Sequence, residues 1–315
     1  MIQNIKKVVV AGAGTMGHGI AQAFAQAGYN ATMVARTQKT LDRAVALIES
    51  SLKTMADERI LDESSVKSTM ERITATNSLE EAAHDADIAF ETITEDKDMK
   101  KAIFAQLDAL CPPRTLLASN TTFLNIFDFV ETARPDKVMI AHWYTPPQLI
   151  PLVDVVKGPQ TDQASIDLMC QVLKDMGKKP VVFNKPISGY VVSRFQGALA
   201  PEIHFLLDND YLTPEELDEA ARWGLAFRMM VVGVVQRYDF GGLDLTVKIR
   251  KNASLKLTPQ DYQPKKLMEL VEQGAYGVKS GKGFYDYGGR SEAEICRERD
   301  IKLIRIFKEL QNIGL

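Results

Sequence analysis

Residues 8–17 read Val8-Val9-Val10-Ala11-Gly12-Ala13-Gly14-Thr15-Met16-Gly17, an apolar run followed at once by glycines spaced G-x-G-x-x-G. The run suits a strand buried on both faces. Behind it, His18–Gln26 is an alanine-rich segment that stops just short of Gly28, as a short helix would. In such a strand–turn–helix unit each glycine has a task. Gly12 permits the tight turn, Gly14 lets the backbone approach a pyrophosphate, and Gly17 lets helix and strand pack closely. With Thr15 and Met16 in the turn, the helix start offers free N–H groups and a partial positive charge to phosphates. A merely structural glycine loop is the plainer alternative, but strand, turn, helix and Gly28 all fall in register. Lys6-Lys7 before an apolar run also has the outline of a secretory leader, which Gly12, Gly14, Gly17 and Gly19 would interrupt.

Outward from this stretch, short apolar runs alternate with helix-length segments. Strands are expected at Thr32–Ala35, Ile88–Ile93, Thr115–Ala118, Val138–Ala141, Leu152–Val156 and Pro180–Phe183. The pattern predicts an α/β domain of Rossmann type, a mostly parallel sheet with helices on both faces. Thr40 to about Arg72 is longer than one crossover helix needs, so a protruding helix pair is expected near 40–72, punctuated around Asp57–Asp62. From Asn184-Lys185-Pro186 the strand rhythm stops. Val191–Leu207, Pro214–Trp223 and Pro264–Gln273 carry helical periodicity, and Thr213-Pro214 has the form of an N-cap with proline in the first turn. The expected division is a dinucleotide domain over 1–184 and an all-helical substrate and dimerisation domain over 185–315.

Composition narrows the function. Among 315 residues, 38 are basic and 41 acidic, a net charge of −3, so no broad basic field exists for nucleic acid. No apolar run is long enough to span a membrane. The three cysteines, Cys111, Cys170 and Cys296, have no metal-ligand spacing and suit a reducing, cytoplasmic compartment. No metal site is expected.

The second strand bears on the cofactor. An NAD site normally has Asp or Glu at its end to hold the ribose 2′-hydroxyl. Here Ala35 stands there, followed by Arg36-Thr37-Gln38-Lys39. The guanidinium of Arg36, the hydroxyl of Thr37 and the ammonium of Lys39 suit a 2′-phosphate, which favours NADP(H) over NAD(H).

Of four histidines, His142 stands out. It closes a buried strand and enters a loop at the carboxyl edge of the sheet, where such folds bind ligands. Asp154 lies in the next apolar run, where an acid needs a partner. Ser119-Asn120-Thr121-Thr122 brings amide and hydroxyl groups to the same edge. A histidine held by a carboxylate beside a nicotinamide can accept a proton in alcohol oxidation. Its bland alternative is a histidine that only ends a strand.

The chain resembles the L-3-hydroxyacyl-CoA dehydrogenase family over nearly its whole length. The resemblance is carried by Gly12–Gly17, Glu91-Thr92-Ile93-Thr94-Glu95 with Lys100, Ser119–Thr122, His142 to Pro151-Leu152-Val153-Asp154, Ser188–Arg194, and Gly277-Val278-Lys279-Ser280-Gly281-Lys282-Gly283-Phe284-Tyr285-Asp286-Tyr287. It implies His142 as general acid and base, oriented by Asp154, with Thr122 and Ser193 on the substrate oxygen. It also implies Glu95, Lys100 and Asn120 along the nicotinamide ribose, a place in fatty acid metabolism, and a homodimer formed through the helical domain. The implied substrate is a 3-hydroxyacyl or 3-oxoacyl group.

Four positions depart from the family: Thr122 for its usual Ser, Asp154 for Glu, Ser193 for Asn, and Thr145 for Asn. The first keeps a hydroxyl; the second keeps the charge on a shorter arm. The other two shorten donors that place substrate. The segment Trp223–Gly233 is longer than in the acyl-CoA enzymes and is similar to the carnitine dehydrogenase and lambda-crystallin branch. There Arg228 can clamp a free carboxylate. A free 3-hydroxy acid is therefore an open alternative to the CoA thioester, and a non-catalytic, crystallin-like cofactor binder is a third reading.

Overall fold

The computed structural model describes residues 5–251 and 256–314. The chain divides after Tyr190 into two compact units. Asn184-Lys185-Pro186, the expected boundary, stays inside the first.

The first unit is built on one sheet of eight strands: β1 (Lys7–Ala11), β2 (Asn30–Val34), β3 (Ile73–Thr76), β4 (Ile88–Glu91), β5 (Leu116–Ser119), β6 (Val138–Trp143), β7 (Leu152–Lys157) and β8 (Lys179–Phe183). Their order is β3-β2-β1-β4-β5-β6-β7-β8. All neighbouring pairs are parallel except β6 and β7, which run antiparallel. Strand β3 was not expected from sequence. As an edge strand it pairs only with β2, so it needs no long apolar run.

Helices α1 (Gly17–Gln26), α2 (Gln38–Asp57), α3 (Glu63–Glu71), α4 (Leu79–Ala83), α5 (Lys97–Leu110) and α6 (Gln163–Asp175) complete this unit. Two buried clusters, one on each face of the sheet, hold the layers together. Val8, Val10, Phe24 and Trp143 belong to one; Val9, Phe104, Leu107 and Tyr190 belong to the other. The alternation of Val8, Val9 and Val10 between them is the period-two geometry of a strand buried on both faces. The expected helix pair exists as α2 and α3, but α2 does not stand clear of the domain. Its face Leu41, Ala44, Ile48 and Leu52 is buried in the cluster that holds Phe24 of α1, because four apolar side chains at helical spacing gain more by burial than by exposure.

The second unit is helical: α7 (Tyr190–Asp208, whose first residue closes the first unit), α8 (Pro214–Ala220), a π-helical turn (Ala221–Ala226), α9 (Phe227–Val232), α10 (Gln236–Gly241), α11 (Leu243–Arg250), α12 (Lys265–Glu272) and α13 (Glu292–Asn312). Thr213 and Glu216 form a reciprocal capping box at the start of α8, with Pro214 in its first turn. The segment Gly277–Tyr287 folds into a tight bridged turn in which Lys282 pairs with both Gly277 and Asp286. Helix α13 was not expected from sequence. It is strongly charged and buries only Ile304 fully, so its apolar period is faint.

Candidate active site

The register of β6 and β7 sets His142 directly opposite Asp154. Both side chains are buried, Asp154 completely. Strand alternation turns His142 to the face opposite its neighbour Trp143, which packs on Phe24 and Phe90. His142 Nδ1 lies 3.5 Å from Asp154 Oδ2, and His142 Nε2 lies 3.0 Å from Thr122 Oγ1. The imidazole therefore has a carboxylate on one nitrogen and a hydroxyl on the other. The ring of Tyr144 meets it edge-on at 4.7 Å between centroids, and that of Tyr190 lies tilted at 4.9 Å.

Thr122 is held by a loop that Glu95 organises. Glu95 Oε1 accepts the Thr121 hydroxyl at 2.6 Å and the backbone N–H groups of Thr122 and Phe123 at 3.1 and 2.9 Å. Burial acts to raise the pKa of Glu95, but the Thr121 hydroxyl, the Phe123 amide and the Lys100 ammonium outweigh it, and the net shift is downward. Lys100 is 1% exposed and donates to Glu91 at 2.7 Å, while the Ser119 hydroxyl donates to the other Glu91 oxygen. Glu91 and Ser119 are paired residues at the ends of β4 and β5. The Lys100 ammonium is thus committed to carboxylates below the loop and is not displayed at the surface. Asn120 Oδ1 accepts the Trp143 backbone N–H at 2.8 Å, tying the end of β5 to that of β6.

The segment Ser188-Gly189-Tyr190 clamps the same loop from outside. Gly189 N–H donates to the Thr122 carbonyl at 3.0 Å, and the buried Tyr190 hydroxyl donates to the Thr121 carbonyl at 3.1 Å. Burial, and then the Asp154 and Glu95 carboxylates, hold the Tyr190 phenol above its ordinary pKa, so it stays a donor. Its backbone φ is 40°, in the left-handed region that costs a non-glycine residue about 1–2 kcal/mol.

The glycine turn is shaped for an anionic ligand. A Cβ on Gly17 would lie 1.7 Å from the Gly12 carbonyl oxygen, so the turn closes only with glycine there. A Cβ on Gly14 would meet no protein atom within 4 Å, so only something outside the protein can require its small size. Helices α2 to α6 begin with capping side chains from Thr37, Asp62, Ser78, Asp96 and Asp162. Helix α1 has no side-chain cap and no acid in its first turn, which leaves N–H groups for a phosphate. A pyridine dinucleotide fits this turn. Arg36 and Lys39 are exposed and have no hydrogen-bond or ion-pair partner among the described residues. Thr37 is committed to capping α2. Thr145 Oγ1 approaches Met16 Sδ at 3.1 Å, joining the loop after His142 to the glycine turn.

Ser193 stands in the first turn of α7 and Arg228 in α9, both in the second unit. Arg228 Nε donates to the Gly224 carbonyl one turn back, at 2.8 Å. Two contributors within the first unit escaped the sequence reading. Tyr144 carried a usable signal, since it follows His142 by two residues in chain that leaves the strand extended, a spacing that returns a side chain to the same side. Tyr190 carried none, because its contact with His142 joins elements far apart in the chain.

A mostly parallel sheet, a glycine turn open to phosphate and a His–Asp pair at its edge define a nucleotide-dependent dehydrogenase class. The chain matches the 3-hydroxyacyl-CoA dehydrogenase NAD binding domain over residues 7–186 and the 3-hydroxyacyl-CoA dehydrogenase C-terminal domain over residues 189–287. It belongs to the 3-hydroxyacyl-CoA dehydrogenase family, oxidoreductases acting on CH–OH groups with a pyridine nucleotide. Over 286 residues it is 36% identical to the "Probable 3-hydroxybutyryl-CoA dehydrogenase" of Bacillus subtilis (strain 168), covering 90% of this chain and 98% of that one. Over 311 residues it is 25% identical to 5-formyl-3-hydroxy-2-methylpyridine 4-carboxylate 5-dehydrogenase of Mesorhizobium japonicum, covering 98% and 99%. A solved structure of an enzyme of that name, described as an NAD+-dependent dismutase, shares the fold with a TM-score of 0.86 at 24% identity, covering 98% of this chain and 99% of that one. No helix among the described residues is long and apolar enough to cross a membrane.

Proposed function

We propose that the chain is an NADP(H)-preferring dehydrogenase that interconverts 3-hydroxyacyl and 3-oxoacyl thioesters of CoA. The observation that carries this reading is the placement of His142 between Asp154 and Thr122. The nicotinamide, when bound, supplies the hydride acceptor. Gly12, Gly14, Thr15, Met16 and Gly17 hold its pyrophosphate, and Arg36 and Lys39 hold a 2′-phosphate. In the oxidative direction His142 Nε2 takes the proton of the substrate hydroxyl. Thr122 donates to the oxygen as it becomes a carbonyl, with Ser193 as the second donor. Asp154 stabilises the imidazolium that results. Glu95, Lys100 and Asn120 act by keeping Thr122 and the ends of β5 and β6 in place. In support of the CoA reading stands the 36% identical relative named for 3-hydroxybutyryl-CoA.

A second reading keeps the chemistry and takes a free hydroxy acid held by Arg228. It is favoured by the near-complete span shared with the pyridine carboxylate dehydrogenase, 98% of this chain against 90% for the butyryl-CoA enzyme. The apolar side chains Val191, Phe195, Leu199 and Ile203, exposed at four-residue spacing along α7, support a homodimer through the helical unit.

The test is turnover of acetoacetyl-CoA and of free 3-oxo acids, each with NADPH and NADH. Acetoacetyl-CoA reduction that is abolished by His142→Ala, with NADPH binding retained, is expected. Turnover surviving His142→Ala sinks the mechanism. Activity on free acids alone, lost in Arg228→Ala, selects the second reading.

A further inference from the structure

The Asp154 carboxylate makes its closer contact with Tyr144, not with His142. The Tyr144 hydroxyl donates to Asp154 Oδ2 at 2.5 Å, the same oxygen that lies 3.5 Å from His142 Nδ1. The other oxygen, Asp154 Oδ1, is buried with no hydrogen-bond partner among the described residues. An aspartate arm extended from β7 across one antiparallel rung thus reaches the imidazole only at the limit of a hydrogen bond. Rotation about its own side-chain bonds would carry that oxygen away, and the histidine contact is too long to prevent it.

We infer that Tyr144 is a positioning residue for the proton-transfer step: its hydroxyl fixes the Asp154 carboxylate in the one orientation that faces His142 Nδ1. Tyr144 is suited to this because its ring is itself fixed edge-on against the imidazole, so hydroxyl, carboxylate and imidazole form a closed triangle. The inference rests on the reading of His142 as acid and base, but it concerns the geometry of the pair and can be measured without turnover.

The experiment compares the wild-type chain with Tyr144→Phe, Asp154→Glu and the double variant, with His142→Ala as control. Loss of a hydrogen bond to a charged group predicts that Tyr144→Phe lowers kcat on acetoacetyl-CoA about tenfold. KM for the nucleotide should stay unchanged, while the melting temperature falls modestly because the buried Asp154 carboxylate loses a donor. Asp154→Glu adds a methylene where Tyr144→Phe removes an oxygen, a near volume-conserving exchange, and lengthens the carboxylate arm toward His142. The double variant should therefore recover most of the lost rate. In parallel, the imidazole N–H proton resonance of His142, assigned by its absence in His142→Ala, should move upfield in Tyr144→Phe and return in the double variant. A Tyr144→Phe variant with wild-type kcat and an unmoved resonance overturns the inference, as does a double variant as impaired as Tyr144→Phe by both readouts. If His142→Ala stays active, the general-base reading fails, while the resonance still decides whether Tyr144 orients the pair.

Discussion

Thr122 and His142 arise just beyond β5 and within the end of β6, yet their side chains meet at 3.0 Å from hydroxyl oxygen to Nε2. The contact exists because two neighbouring parallel strands end side by side and Glu95 folds the loop after β5 back over them. A hydroxyl placed there marks where a substrate oxygen would be held between the same two groups. Thr122→Val keeps the shape and removes the donor, so kcat should fall about 10²-fold, in the range seen when one donor to a developing charge is lost. Thr122→Ser should stay within a few-fold of wild type. Equal kcat for the Val and Ser variants in steady-state assays would remove Thr122 from the mechanism.

The glycine turn makes two opposite predictions. Gly17→Ala forces a Cβ to 1.7 Å from a backbone oxygen, so the turn must shift, with a loss of about 3 kcal/mol or more of stability. Gly14→Ala meets open space and should leave the melting temperature unchanged. It should nevertheless weaken NADPH binding about tenfold or more, because the pyrophosphate approaches where the methyl would stand. Calorimetric melting and nucleotide titration separate the two. Unchanged nucleotide affinity in Gly14→Ala would contradict the ligand-based reason for that glycine.

Arg36 is exposed and unpartnered among the described residues, so its charge is available to a 2′-phosphate. On the proposed NADP(H) reading, Arg36→Asp should lower kcat/KM with NADPH about 10–100-fold while raising it with NADH, since an acid there accepts from the ribose hydroxyl and repels the phosphate. Parallel kinetics with the two cofactors test it. A wild-type enzyme that prefers NADH would refute the argument before any variant is made.

Lys178 is buried, with no carboxylate paired to it among the described residues. Its ammonium donates to the Pro147 and Ile150 carbonyls at 2.7 and 2.9 Å and lies over the Trp143 ring. Burial pushes its pKa down from 10.5 to about 8. Below pH 8 the ammonium is charged in both folded and unfolded chains, and the burial cost is fully present. Between about 8 and 10.5 the folded chain releases the proton first, so the unfolded chain binds more protons and stability rises with pH. Over the whole window this amounts to about 3 kcal/mol at most. The melting temperature of the wild type minus that of Lys178→Met should therefore increase from pH 8 to pH 10. A difference constant with pH would show that the lysine is not desolvated as described.

Much of the site is legible locally. His142 could be picked out because it ends an apolar run, and the anion-binding turn because Gly12, Gly14 and Gly17 serve one short unit of chain. The contacts of Glu91, Lys100 and Tyr190, though not the residues themselves, were opaque for a shared reason. Their partners lie on other elements, and a buried Lys–Glu pair reads in sequence like any two surface charges. The edge strand β3 and the charged helix α13 were missed because each buries too little apolar surface to print a clear period.

By itself, the sequence determined the doubly wound α/β class, the family and the chemical kinds of group available, because these follow from short-range patterns of burial, turn and motif. Only the tertiary structure decided how those groups meet. The antiparallel register of β6 and β7 set Asp154 against His142, and the short aspartate arm then gave the closer contact to Tyr144. Fractions of a rung separate a carboxylate that bonds from one that does not, and that distance is a property of packed strands rather than of residue order.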